Sequence, residues 1–175
     1  MDVTHRRTVI ATVPALLVAA ACAQASGKEA APKEKSAVVE LEKGGSFTIK
    51  LAPEVAPKAV QNFEEKASKG FYNGLSFHRV EDWVVQGGDP RGNGTGGNMT
   101  LPTEASDRPF VVGSLGMARL GTTPQVSNDA QFFICTKPAE WLNGQYTNFG
   151  SVTQGIEVVQ GIKVGDKIKR ISVKA

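Results

Sequence analysis

The residues best suited to binding or catalysis lie in one stretch, residues 77–89, where a single arginine stands among aromatic residues and a glutamine. Arg79 ends a short strand-like run, and a second run ends at Gln86. A guanidinium set among apolar groups is a desolvated hydrogen-bond donor, which suits a polar group on a bound substrate. The alternative that this stretch alone leaves open is a surface arginine on a half-buried strand.

The elements that must position Arg79 are predicted from the alternation of side chains. Period two places Phe77 and Arg79 on the same face of the first strand. The pattern then breaks and resets its phase. Trp83, Val85 and Gln86 are therefore the candidates to share a wall with Arg79.

Three other features could do chemistry, and each has a simpler interpretation. Cys135 lies in an apolar run and is predicted to pack as a small buried hydrophobe, since no base for a thiolate is evident. His78 is predicted to be a hydrogen-bonded core residue rather than a catalytic base. Residues 89–100 are rich in glycine but lack the Gly-Lys-Ser/Thr ending of a phosphate-binding loop, so they are predicted to fold against the domain as a groove wall.

The composition is that of one ordinary globular domain. The chain has 175 residues, of which 41% are hydrophobic and 21% charged. Its 19 glycines and 7% aromatic content favour a β-rich fold with many tight turns. The net charge of +3 comes without a basic stripe interleaved with aromatic residues, which argues against nucleic acid as a partner.

Residues 1–25 have the composition of a signal peptide. A positive segment at residues 5–7, which partly matches a twin-arginine export signal, precedes an apolar run too short to span a bilayer comfortably. The small residues around Ala25 predict cleavage after it. A lipoprotein signal of residues 1–21, with a lipid on Cys22, is the alternative. Either version predicts a bacterial protein exported to the periplasm or cell envelope, with membrane contact only through the signal or that lipid.

The exported part divides into a linker and one domain. Residues 26–36 are small and charged, which is typical of a flexible tether, and residues 37–175 form the predicted domain. Within it a hairpin is predicted at residues 38–51. A helix at residues 57–69 would bury a stripe of Val60, Phe63 and Ala67, and a short second helix ends at residue 161.

Five motifs recur in a fixed order along this domain. They are Phe77-His78-Arg79, Gln86-Gly87-Gly88-Asp89, Asn93-Gly94-Thr95-Gly96-Gly97, Gln131-Phe132-Phe133-Ile134 and Trp141-Leu142-Asn143-Gly144. Together they resemble the cyclophilin-type peptidyl-prolyl cis-trans isomerases over residues 38–173. Each motif alone is weak, but five in order are specific.

The resemblance implies a mainly β fold, a closed eight-stranded antiparallel barrel capped by two α-helices. It implies an active site in a groove outside the barrel, with Phe132 pointing into the barrel. It also implies an enzyme without metal or cofactor that accelerates the folding of exported proteins. Its partners would be proline-containing polypeptides and cyclosporin-type inhibitors.

The resemblance also assigns roles to particular residues. Arg79 would donate to the prolyl nitrogen, Gln86 would bind the substrate carbonyl or orient Arg79, and Gln131 would support that side. The remaining substrate-binding positions are apolar or line the edge of the pocket, namely Trp83, Val84, Ala118, Arg119, Phe133, Trp141, Leu142 and Tyr146.

The chain departs from the family pattern at several of these positions. Glu81-Asp82 replaces a proline-glycine turn and shortens the segment before Gln86 by one residue. Arg119 stands where the family has asparagine, so it carries over only through its backbone. The departures leave open a proline-peptide-binding or chaperone module with weak isomerase activity, and a surface interaction protein, as alternatives to the foldase.

Overall fold

The computed structural model describes Met1, residues 34–119 and residues 123–174. The predicted signal segment, with Cys22, and most of the predicted linker lie outside these residues. No helix in the described part of the chain is long and apolar enough to cross a membrane.

An eight-stranded antiparallel sheet forms the body of the described chain, in the order β10-β1-β2-β9-β6-β8-β4-β3. Two further strands, β5 and β7, pair with each other. The strands are β1 (Ser36–Leu41), β2 (Ser46–Leu51), β3 (Phe77–Val80), β4 (Val84–Gly87), β5 (Met99–Pro102), β6 (Ser114–Met117), β7 (Val126–Asn128), β8 (Phe132–Cys135), β9 (Asn148–Gln154) and β10 (Ile168–Lys174). The helices are α1 (Pro57–Ser68), α2 (Ile156–Gln160) and a 3-10 turn (Glu140–Leu142).

The two edges of this sheet, β3 and β10, are linked by an isolated bridge rather than by a strand ladder. The bridge joins Ser76 and Lys167, and the Phe77 N–H donates to the Asp166 carbonyl beside it at 2.9 Å. The expected closed barrel is therefore confirmed only in a coarser form, as a curled eight-stranded antiparallel sheet with two helices.

The N-terminal elements match their predictions because their apolar periodicity is strong. Phe47, Ile49 and Leu51 alternate into the core on β2, and α1 buries Val60 and Phe63 on one stripe. No local side chain caps α1. Instead the Glu104 carboxylate accepts the backbone N–H groups of Lys58 and Ala59, at 3.1 and 2.8 Å. An acidic group at this end also complements the helix dipole.

The predicted boundaries are less accurate where strands are short. The apolar run at residues 110–117 predicts a strand, and residues 119–129, rich in glycine and small polar residues, predict a loop. The structure has β6 only from Ser114, and β7 lies inside that predicted loop. At the N-terminus, β1 begins at Ser36, one residue before the predicted start of the domain. There the Lys35 carbonyl accepts a bond from the Leu51 N–H at 2.9 Å, which brings the end of the linker into the sheet.

Strand β8 separates two apolar clusters. Phe132 and Ile134 enter the main core, as predicted for Phe132, whereas Phe133 and Cys135 belong to a second cluster on the other face of the sheet. Successive side chains of a strand point to opposite faces, so one strand contributes to both clusters. The second cluster is the foundation of the candidate site.

The predicted face of β3 is wrong, because the pairing with β4 contains a register shift. Phe77 lies opposite Gly87, but Arg79 lies opposite Gln86, so the two strands advance by different numbers of residues. Such an irregularity reverses the alternation. Phe77 is consequently buried in the main core, while Arg79 stands beside Gln86 at the second cluster.

Candidate active site

A small open pocket lies over the second cluster. It encloses about 70 Å³ and is lined by Arg79, Trp83, Gln86, Ala118, Arg119, Phe133, Leu142 and Tyr146. All eight belong to the set of residues singled out in the sequence. They come from β3, β4, the end of β6, β8, the 3-10 turn and the loops beside them, so the sheet brings together residues far apart in the chain.

The floor of the pocket is Phe133, which is held by aromatic neighbours. Phe110 stacks on its ring with centroids 5.7 Å apart, and Tyr146 meets it edge-on at 6.1 Å. Gly116 lies opposite Phe133 in the strand pairing. A Cβ atom there would stand 2.2 Å from Phe133 Cζ, so only glycine leaves room for the ring.

Arg79 is the cationic group of the pocket, and its guanidinium is held on two sides. Nε and Nη2 donate to the two carboxylate oxygens of Glu81, at 2.7 and 3.1 Å. Nη1 donates to Gln86 Oε1 at 3.1 Å. The Trp83 ring lies 5.4 Å from the guanidinium carbon, which adds a cation–π contact. Arg79 is partly exposed on a half-buried strand, as the alternative interpretation had it, but its guanidinium also lines the pocket and is held by Glu81 and Gln86.

Glu81 was not predicted as a site residue. Besides Arg79, it accepts a hydrogen bond from the indole N–H of Trp83 at 3.1 Å. The hydrogen bond from Arg79 lowers the pKa of the Glu81 carboxyl from its ordinary value, so the pair is charged at neutral pH. Its place two residues after Arg79, in the break between strands, was the only sequence feature that could have revealed it.

Gln86 is oriented by a buried chain of amide groups. Its Nε2 donates to Gln131 Oε1 at 2.9 Å, and Gln131 Nε2 donates to the carbonyls of Gly94 and Gly96 at 3.1 and 2.8 Å. The first of these bonds assigns the Gln86 amide nitrogen to Gln131, which leaves Oε1 as the acceptor for Arg79. Gln131 therefore supports the pocket from behind, as expected from the resemblance, and does not line it.

The glycine-rich loop behind Gln131 is organised by a buried carboxylate. Asp89 accepts the backbone N–H groups of Arg91 at 2.8 Å, Asn93 at 2.9 Å and Gly94. Burial alone would raise the pKa of Asp89, but these three donors outweigh burial and hold it below its ordinary value. The loop is thus folded against the domain, as predicted, and Asp89 at its centre accepts three of its backbone N–H groups.

Besides Gln131, two residues singled out in the sequence are absent from the lining of the pocket. Val84 is fully buried beneath the pocket within the second cluster. Trp141 is 58% exposed at the rim, where it meets Trp83 edge-on at 5.2 Å. Trp141 therefore matches its expected place at the rim, whereas Val84 supports the wall from below.

Arg119 lines the pocket with its side chain, which the sequence did not predict. The sequence predicts a role for its backbone only, yet its guanidinium lies 3.8 Å from the centroid of the Tyr146 ring and lines the pocket. Its Nη1 also donates to the Pro124 carbonyl at 3.2 Å. The expectation was wrong because planar stacking on Tyr146 draws the long side chain inward.

The two remaining candidate groups take no part in the pocket. Cys135 is fully buried and burial raises the pKa of its thiol to about 12, so the prediction of an inert packed thiol is confirmed. His78 is half-buried, and its pKa is lowered mainly by desolvation. Its Nδ1 has no hydrogen-bond partner among the described residues, so the expectation of a fully hydrogen-bonded core histidine is wrong.

Comparison with protein families finds one match that spans nearly all of the described chain. Residues 37–174 match the model described as cyclophilin type peptidyl-prolyl cis-trans isomerase/CLD. The peptidyl-prolyl cis-trans isomerase B of Bacillus subtilis is 42% identical over 138 residues, which are 77% of this chain and 94% of that protein. A probable peptidyl-prolyl cis-trans isomerase of Brucella suis is 37% identical over 178 aligned positions, covering 94% of this chain and 89% of the relative.

Solved structures agree with these matches. A cyclophilin type peptidyl-prolyl cis-trans isomerase of Cryptosporidium parvum superposes with a TM-score of 0.73 and 28% identity, over 81% of this chain and 98% of that one. A second crystal structure of that protein, in the presence of the dipeptide Ala-Pro, superposes with a TM-score of 0.72 and 26% identity, over 80% of this chain and 99% of that one.

Proposed function

The chain belongs to the cyclophilin-type peptidyl-prolyl cis-trans isomerases and is an enzyme of that activity, and we propose that it works by donating hydrogen bonds from Arg79 to the twisted prolyl amide of exported polypeptides. The observation that carries the proposal is the position of Arg79 at the edge of an apolar pocket, with part of its donor set unoccupied. Among the described residues, one N–H on Nη1 and one on Nη2 have no acceptor.

The chemistry requires a donor and no covalent step. Conjugation gives the prolyl amide a rotation barrier of about 18–20 kcal/mol, and rotation removes that conjugation. In the twisted state the prolyl nitrogen regains a lone pair and becomes a hydrogen-bond acceptor. A donor aimed at this nitrogen stabilises the twisted amide more than the planar one, which lowers the barrier. The free N–H groups of Arg79 fit this role, because a guanidinium stays protonated and transfers no proton.

The apolar floor supplies the second requirement, which is a fixed proline. The pyrrolidine ring would rest on Phe133 and Leu142 between the walls of Trp83 and Tyr146. A ring held there leaves the acyl side of the bond free to rotate. Gln86, fixed through Gln131, keeps Arg79 at the edge of this slot and has one further carbonyl lone pair to offer.

The experiment compares the purified protein with Arg79→Ala by exchange spectroscopy on a short Ala-Pro peptide. We expect the variant to lose at least 90% of turnover, on the order of 1.4 kcal/mol or more of transition-state stabilisation, while its thermal midpoint and peptide affinity stay close to wild type. Turnover unchanged in Arg79→Ala would refute the proposed donor. Binding without turnover in the wild-type protein would instead support the binding-module alternative.

Export is a separate part of the proposal and rests on residues 1–25. Their charged start, apolar run and small residues before residue 26 are those of a signal peptide. The Brucella suis relative aligns over 94% of this chain, so its similarity reaches into this segment. Mass spectrometry of the protein from a bacterial envelope fraction tests it: a mature chain beginning at Ser26, or a lipid on Cys22, is expected, and an intact Met1 in the cytosol would refute export.

A further inference from the structure

Glu81 is the charged partner of Arg79, and it lies where the family pattern has a proline-glycine turn, which could offer no carboxylate. It lies in the short connection between β3 and β4, and its two oxygens take the Nε and Nη2 donors of the same guanidinium. A side-on, two-point contact fixes the plane of a guanidinium as well as its position. Gln86 holds Nη1 from the other side, so the group has little freedom to turn.

We propose that Glu81 is a positioning residue for prolyl isomerisation, which presets Arg79 so that its unoccupied N–H groups face the substrate amide. The proposal rests on the proposed function of Arg79. Five N–H bonds are available on the guanidinium, of which Glu81 takes two and Gln86 one. The division leaves one N–H on Nη1 and one on Nη2 for a substrate.

The same carboxylate joins the donor to the apolar wall. Trp83 donates its indole N–H to the Glu81 oxygen that also accepts Nη2, at 3.1 Å in both cases. The Trp83 ring lies under the guanidinium at 5.4 Å, so Glu81, Arg79 and Trp83 form a closed triangle of contacts. A shift of Trp83 would therefore move Arg79 as well. Through these contacts Glu81 fixes the distance between the Arg79 guanidinium and the apolar wall of the pocket.

The exposure of this ion pair separates a positioning role from a structural one. The Arg79 and Glu81 side chains are 41% and 47% exposed. An ion pair this exposed contributes little to folding. Removal of the carboxylate should therefore leave the fold intact and act locally, on the geometry of Arg79 and of the Trp83 indole that shares the carboxylate.

The test measures isomerisation of a saturating Ala-Pro peptide by Glu81→Ala, with Asp82→Ala as the matched control. Asp82 is the adjacent carboxylate, 74% exposed and paired with Lys137, so its loss changes the charge equally without touching Arg79. We expect kcat to fall about fivefold to tenfold in Glu81→Ala, because Arg79 regains rotamer freedom that must be lost again at the transition state. Asp82→Ala should match wild type, and peptide affinity and thermal midpoint should hold in both.

Two further variants make the outcome specific to Arg79. Glu81→Gln keeps one acceptor for Nε and should recover part of the lost kcat. In the Arg79→Ala background, Glu81→Ala should change the residual turnover by less than twofold, since its effect runs through Arg79. A kcat in Glu81→Ala equal to or above wild type, or a several-fold effect that persists without Arg79, would overturn the inference. Unchanged turnover in Arg79→Ala itself would instead remove the proposed function.

Discussion

Replacement of Gly116 by alanine should damage the pocket through its floor. The strand conformation of Gly116 is open to alanine, since its φ is not in the left-handed region, so the effect is steric. The added Cβ would stand 2.2 Å from Phe133 Cζ and 2.7 Å from Cε1 and Cε2, far inside contact distance. The Phe133 ring is stacked on Phe110, and the open space next to it is the pocket proposed to hold the proline ring. The ring must therefore move into the slot.

The size of this effect follows from overpacking. One methyl group forced into a packed site costs about 1–3 kcal/mol of unfolding free energy. For a chain of this length, that shift lowers the thermal midpoint by roughly 2–12 °C. The slot is small, about 70 Å³, so a displaced ring also takes away much of the room for a pyrrolidine group, and KM should rise more than kcat falls.

A calorimetric scan combined with peptide exchange over a range of peptide concentrations measures both effects. Gly150→Ala is the matched control, because its Cβ would stand 2.6 Å from the Lys50 carbonyl, elsewhere in the same sheet. That variant should lose stability while its KM stays at the wild-type value. If Gly116→Ala keeps a wild-type KM, or if Gly150→Ala raises KM by as much, Phe133 does not form a rigid floor and the reasoning fails.

Two further perturbations concern residues outside the pocket lining. Glu104→Ala removes the cap of α1 and should cost about 1 kcal/mol in a denaturant titration with kcat/KM unchanged, and wild-type stability would show that water caps the helix equally well. Asp89→Asn removes the charge and replaces one of the two accepting oxygens by an NH2 donor, so at least one backbone N–H loses its acceptor, and it should cost about 1–3 kcal/mol at neutral pH. Because the pKa of Asp89 is lowered in the folded protein, the charged carboxylate stabilises the fold above the ordinary carboxyl pKa, and this stabilisation is lost as the pH falls through the folded pKa. The free energies of unfolding of wild type and Asp89→Asn, measured over acid pH, should therefore converge. A difference that stays constant with pH would contradict this.

The sequence predicts the pocket well because its residues recur as ordered motifs. The motifs predict the positions of Phe133, Leu142 and Gln86, and the helical periodicity of apolar residues predicts the buried stripe of α1. The register shift between Phe77 and Arg79 could not be predicted, since the extra residue is set by the pairing with β4 and not by the local pattern. A side-chain period of two makes any such shift reverse every later face.

The contacts of individual long side chains are the second feature that could not be predicted from the sequence. Glu81 follows Arg79 by two positions, which on a regular strand already suggests a shared face, but the bidentate contact depends on how the shortened turn closes. Arg119 was assigned by its family counterpart, and its stacking on Tyr146 joins two residues that meet only in the folded chain. Both contacts involve long side chains whose rotamers are chosen by neighbours distant in sequence.

The two-sided strand β8 also constrains how this protein can change over generations. Phe132 and Phe133 are adjacent, yet one packs in the main core and the other forms the floor of the pocket, so a mutation that slides this strand should damage the fold and the proposed site together. Drift in substrate preference is therefore confined to the perimeter, where Trp83, Arg119 and Tyr146 reach the pocket without joining the central core. Variation among orthologues should concentrate at those positions, and libraries built to alter selectivity should start there.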